Sequence, residues 1–140
     1  MDTISSTINL KLIACTENYW DFVRELRNNS ENANGFVDIV HITENQQIEY
    51  MNKYKHQYKI CIINKLPVGF IGDIDGDLRV CVSKIWKGKG VATFMVNEYC
   101  KTNKNVYAKI KVDNTASIAL FQKCGFIPKF IIYKKGIDLE

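Results

Sequence analysis

Residues 78–92, LRVCVSKIWKGKGVA, join three unlike pieces without a break: an alternating apolar run, a basic turn with two glycines, and the start of an apolar helix. The alternation over 78–84 predicts a strand. Val91, Phe94, Met95 and Tyr99 then recur on one face of a helix that reaches about Cys100. Gly88 and Gly90 stand where strand hands over to helix, so the backbone can turn sharply there and expose successive N–H groups. The first amides of the helix and the positive end of its dipole add to these, and Lys87 and Lys89 place charge at the rim. Such a turn suits an anion, a pyrophosphate above all. A glycine turn with solvated lysines has the same sequence, and the turn alone leaves both readings open. It is not a Walker turn, because no Gly-Lys-Ser/Thr ends it. Nor is it a dinucleotide fingerprint, because Thr93 stands at the third glycine position.

The remaining segments predict a sheet for that strand to join. Residues 7–15 (TINLKLIAC) alternate and predict a first strand. Thr16 is placed to cap a first helix over about 17–28, with Trp20, Phe22, Val23 and Leu26 as its apolar stripe. Residues 29–35 (NSENANG) are a polar linker, and 36–42 (FVDIVHI) fit either strand or loop. Thr43 followed by Gln46 has capping-box form and starts a second helix to about His56. Runs at 58–64 and 68–73 flank a hairpin break at Lys65-Leu66-Pro67, and Asp75-Gly76-Asp77 is a second turn, so three consecutive antiparallel strands are predicted. After the helix behind the glycine turn, 106–112 (VYAKIKV) alternates again, and the strand-helix-strand order favours parallel pairing with 78–84. Asp113-Asn114-Thr115 caps a fourth helix over 116–123 that stops at Gly125, and 130–134 (FIIYK) predicts a last strand. The expectation is one α/β domain over residues 1–140.

Composition bounds the partners. The chain is 46% hydrophobic and 24% charged, globular values, and its net charge of +4 is spread rather than blocked, so no nucleic-acid partner is expected. Cysteines at 15, 61, 81, 100 and 124 form no CxxC pair and are odd in number, which predicts reduced thiols and no metal site. With no basic start followed by a long apolar run, and no apolar stretch near the roughly 20 residues that span a bilayer, a cytoplasmic protein without membrane contact is expected.

Residues 114–126, NTASIALFQKCGF, decide between the two readings of the glycine turn. Together with 87–92 they resemble the GNAT family of N-acetyltransferases, which pairs a turn of form (Gln/Arg)-x-x-Gly-x-(Gly/Ala) with a later N-x-x-(Ala/Ser)-x-x-x-(Tyr/Phe)-x-K-x-G-F segment. The order and spacing match, and the resemblance covers 57–134. It implies a central mixed, mostly antiparallel sheet of six or seven strands flanked by about four helices. It implies acetyl-CoA as donor and a primary amine as acceptor. By the same resemblance, backbone groups of Val80, Cys81 and Val82 pair with the pantetheine arm, and the amides of Lys87, Gly88, Lys89, Gly90, Val91 and Ala92 cradle the pyrophosphate. Asn114, Ser117 and Lys123 contact the coenzyme, and Phe121 packs beside its thiol end. Many relatives carry Tyr at the position of Phe121, where the hydroxyl protonates the leaving thiolate; Phe cannot.

For the base that prepares the amine, His41 and Asp73 are the candidates. Turn formation explains Asp75 and Asp77 better, and small buried apolar roles suit Cys81 and Cys124. The first 56 residues are loosely similar to acetyltransferases of amino sugars on nucleotide carriers. That similarity implies the 4-amino group of a nucleotide-linked deoxyamino sugar as acceptor, met by Arg24, Arg27, Asn28, Phe36 and Tyr50. A protein N-terminus, a ribosomal protein or a polyamine is the alternative acceptor, and a non-catalytic acetyl-CoA-binding module is the alternative of another class. A homodimer fits domains of this type, though no residue here shows one.

Overall fold

Nearly unbroken apolar runs belong to strands covered on both sides, and two such runs form the middle of the sheet. In the computed structural model, which describes residues 9–29 and 41–136, β1 (Leu10–Ala14), β2 (Tyr58–Ile63), β3 (Leu66–Ile74) and β4 (Asp77–Val82) lie side by side in that order. Every neighbouring pair is antiparallel. The helices are α1 (Trp20–Asn28), α2 (Glu44–Tyr54), α3 (Val91–Tyr99) and α4 (Thr115–Lys123).

Strand alternation sorts the core into two layers. Tyr58, Ile60, Phe70 and Cys81 pack with Trp20, Val23 and Leu26 of α1 and Met51 of α2. Their neighbours Cys61, Val68, Ile71 and Val82 pack with Val91, Met95, Val96 and Tyr99 of α3. Gly69 permits the close approach of α3, because a Cβ there would lie 2.7 Å from the Cys81 carbonyl oxygen and 3.0 Å from Met95 Cε.

Several expectations shift in detail. The first hairpin turns at Asn64 and Lys65, both at positive φ (48° and 73°), a two-residue connection that suits strand twist. Pro67 therefore lies inside β3, opposite Ile62 where the ladder is irregular. The first helix opens as a 3-10 turn, Glu17–Tyr19, before α1. The capping box forms as expected: Thr43 Oγ1 accepts from the Gln46 amide at 3.1 Å, and Gln46 Oε1 accepts from the Thr43 amide at 2.9 Å.

The sheet has four ladder strands among the described residues, fewer than expected. Residues 106–112 meet β4 at one parallel bridge, Asp77 with Tyr107. There the Tyr107 amide donates to the Gly76 carbonyl at 2.8 Å and the Leu78 amide to the Tyr107 carbonyl at 2.9 Å. Beyond the bridge the two backbones part. Among the described residues, 130–134 form no ladder either, and Phe130 and Tyr133 are exposed. Alternation predicts an extended backbone; a strand also needs a partner, which the pattern does not contain. The segment 36–42 lies outside the described residues except for its last two.

Candidate functional site

The parting of β4 from residues 108–111 opens a cavity of about 920 Å³. One wall is β4, the other is 108–111, and the glycine turn with the start of α3 closes one end. Asn114, Ser117 and Phe121 enter from α4, and Arg27 and Phe70 from the opposite side of the sheet.

The walls carry free backbone groups for a geometric reason. The Leu78 amide points at Tyr107, so by the two-residue period of a strand the amides of Val80 and Val82 face the same way. No ladder bond meets them there among the described residues. Cys81, one residue out of phase, pairs with Phe70 in β3, so its backbone is turned from the opening.

At the closed end the chain is built to leave amides uncovered. Gly88 and Gly90 have φ of 76° and 91°, in the left-handed region where a side chain is strained. Gly90 is the N-cap of α3 and offers no side chain to cap it; the first intrahelical bond runs from the Phe94 amide to the Gly90 carbonyl at 3.1 Å. The amides of Val91, Ala92 and Thr93 precede that bond, where a helix has no internal acceptor for them. The α4 terminus differs: Asn114 Oδ1 accepts from the Ser117 amide at 3.1 Å, so that side chain serves its own helix.

The structure places Val80, Cys81, Val82, Lys87, Gly88, Gly90, Val91, Ala92, Asn114, Ser117, Phe121 and Arg27 on the cavity wall. Lys89 and Lys123 are not on it. Phe121 meets Phe126 edge-on at 5.0 Å.

The two base candidates stand elsewhere. His41 is exposed and off the wall. Asp73 is committed to the scaffold: it accepts a hydrogen bond from the Tyr99 hydroxyl of α3, and its Oδ2 accepts from the Gly76 amide at 2.9 Å. Burial, and then that carboxylate, push the Tyr99 phenol above its ordinary range. Among the acceptor candidates, Arg24 is held by Asp21 at 2.9 Å and Glu44 at 3.8 Å. Asn28 exchanges two 2.7 Å hydrogen bonds with the Ile42 backbone. Tyr50 bonds the Tyr58 hydroxyl at 2.7 Å and lies under the Arg27 guanidinium, 5.7 Å from ring centroid to Cζ. Phe36 lies outside the described residues.

Sequence reasoning assigned Asp77 to the turn, yet it is the buried carboxylate of the cavity, 8% exposed at the bridge. Its Oδ2 lies 3.3 Å from Arg79 Nη2 and 3.3 Å from Lys109 Nζ. The Asp-Gly-Asp pattern does make a turn, and that sufficient explanation hid the second role. Cys81 shares the site as a neutral thiol: burial pushes it up to about 11, against a smaller pull from Lys87, the Val82 amide and Arg27. A thiolate nucleophile is therefore not available there near neutrality. No cluster of three metal-ligating side chains forms among the described residues.

Comparison with known proteins agrees with this architecture. Spermidine N-acetyltransferase from Vibrio cholerae, in its complex with CoA and spermine, is 19% identical with a TM-score of 0.73, over 90% of this chain and 84% of that one. A domain from Methanocaldococcus jannaschii reaches 0.73 at 16% identity over 87% and 90%. Ribosomal-protein-alanine N-acetyltransferase from Brucella melitensis reaches 0.68 at 18% identity over 84% and 83%. At these identities the likeness is one of fold. No curated protein matches the sequence significantly. The model of the acetyltransferase (GNAT) family, however, matches residues 20–126, and the parted strands, uncapped helix and buried carboxylate fall within that span: the chain belongs to this family of acetyl-CoA-dependent N-acetyltransferases.

Proposed function

We propose that the cavity transfers an acetyl group from acetyl-CoA to the amine of a small anionic molecule, with the 4-amino group of a nucleotide-linked deoxyamino sugar as the acceptor of choice. Arg27 carries this reading. It is half-buried on the cavity wall, its guanidinium rests on Tyr50, and no carboxylate pairs with it among the described residues. A partly desolvated cation without a counter-ion is costly, and an acceptor bearing phosphate or carboxylate supplies one. The lining as a whole is cationic, with Arg79, Lys87, Lys109 and Lys111 against Asp77 and Asp113.

In this reading the amides of 88–92 cradle the pyrophosphate, the Lys87 amide being bonded to the Lys84 carbonyl at 3.3 Å, and those of Val80 and Val82 hold the pantetheine arm and stabilise the oxyanion. Asp77 takes the proton from the amine, since it is the buried carboxylate on the wall. Holding amine and thioester together supplies much of the remaining acceleration.

A polyamine acceptor is the second reading, favoured by the fold likeness to the spermidine enzyme. The cationic wall opposes it. Free thiol release from acetyl-CoA, followed with a nucleotide-linked 4-amino sugar, an amino acid and spermidine in turn, separates the two. Turnover on the sugar nucleotide and none on spermidine is expected; spermidine turnover without any on the anionic amines would overturn the assignment.

A further inference from the structure

Acetyl transfer to an amine leaves one proton to be delivered. When the C–S bond breaks, the departing thiolate needs a proton, and Phe121 on the cavity wall has none to give. The other side chains on the wall divide by chemistry. Arg27 rests on the Tyr50 ring and Arg79 on the Asp77 carboxylate. Ser117 and Thr93 are hydroxyls, much weaker acids than a thiol. The Cys81 side chain is 7% exposed and packed among the side chains of the α1 layer.

The lysines are the ammonium donors on the wall. Lys87 stands at the glycine turn, at the pyrophosphate end, and Lys109 and Lys111 on the wall opposite β4. Lys109 has a feature the others lack among the described residues: its ammonium reaches across the opening to Asp77, Nζ to Oδ2 at 3.3 Å. The pair spans the point where the two backbones part, one member on each wall. Arg79 meets the same oxygen at 3.3 Å and holds the carboxylate in place.

We propose that Lys109 is the general acid of this enzyme, the group that replaces the absent tyrosine hydroxyl; the proposal rests on the acetyl-transfer reading above. The amine nitrogen bonds to the acetyl carbon, the C–S bond breaks, and the electron pair goes to sulfur. Asp77 accepts the proton lost by nitrogen, and Lys109 gives one of its protons to sulfur. The proton on Asp77 then crosses the 3.3 Å contact to the neutral lysine, restoring both groups. One proton has moved from nitrogen to sulfur and no further reactant is consumed.

Two variants and two donors test this. Wild-type turnover with acetyl-CoA is measured first; if no amine responds, the transfer reading fails and Lys109's role with it. Given turnover, Lys109→Met should lower kcat about 100-fold, the usual scale of a general acid, with the KM for acetyl-CoA within threefold. With an acetyl thioester of an acidic aryl thiol, whose thiolate leaves without a proton, the same variant should lose less than about threefold in kcat/KM. Lys109→Arg keeps the ion pair with Asp77 but cannot yield a proton, so it should be as slow as Lys109→Met with acetyl-CoA. Equal losses with both donors would overturn the proposal, and so would full activity in Lys109→Arg, which would make the residue a prop for Asp77.

Discussion

At the scale of single residues, Asp77 and Arg27 define opposite poles of the same cavity. Asp77 is nearly inaccessible and touches two cations, so Asp77→Asn removes the proposed proton acceptor while keeping the shape. The expected result is a fall in kcat of about 100-fold with little change in the acetyl-CoA KM, read from steady-state rates. Arg27→Met should act on the other substrate: the acceptor KM rises about tenfold or more, as a charge-assisted contact of about 1.5–3 kcal/mol is lost, while the donor KM stays put. Equal effects on both substrates would place Arg27 at the coenzyme instead. Asp73 and His41 were equally plausible bases by residue type. What separates them from Asp77 is direction, and a side chain's direction depends on ladder register and on who claims its oxygens. Tyr99 and the Gly76 amide claim those of Asp73. Tyr99→Phe should accordingly cost about 1–2 kcal/mol of stability in a denaturant titration and leave turnover near wild type.

At the scale of elements, the stretch from β4 to α3 was the most legible part of the chain. Apolar alternation, two glycines and a helical stripe each have a local cause, so the strand, the left-handed turn and the uncapped helix follow from residues 78–99 alone. The Gly90→Ala variant tests that turn. A side chain at φ 91° costs about 1–2 kcal/mol and turns the first amides of α3, so the acetyl-CoA KM should rise about tenfold while the acceptor KM is little changed. The Thr43 and Asn114 caps were equally readable, because a cap is a contact over three residues. Less legible were 106–112 and 130–134, whose alternation is plain but whose pairing depends on distant chain. The cavity shares that difficulty: Arg27, Asp77 and Lys109 come from a helix, a strand start and the segment opposite, and no local pattern links them.

At the scale of the whole molecule, the sheet's two apolar faces account for three buried thiols. Burial raises Cys15 and Cys81 to about 11 and Cys61 to about 12. In the unfolded chain these thiols ionise near their ordinary value of 9.0, so above that pH the unfolded state holds fewer protons than the folded one. Stability is then full below about pH 8 and falls as pH climbs through 9 to 11. Each thiol contributes a slope of up to about 1.4 kcal/mol per pH unit. Thermal melts in a pH series check this; a flat profile to pH 10.5 would contradict the burial of all three. The two-layer core was also foreseeable, since runs such as YKICII and VGFIG leave no polar face to solvent. The number of ladder strands was not, being a property of pairings.

The bridge between Asp77 and Tyr107 fastens two walls by a pair of backbone hydrogen bonds, and among the described residues no backbone bond follows further along. It acts as the crotch of a fork whose tines, β4 and residues 108–111, are both polypeptide edges in search of a third strand. In the proposed reading a donor with amide groups along its length serves as that strand, and loading the enzyme completes the sheet. Hydrogen exchange should register this: amides of Val80, Val82 and residues 108–111 gain protection when acetyl-CoA binds, while those of β2 and β3, already zipped, do not change.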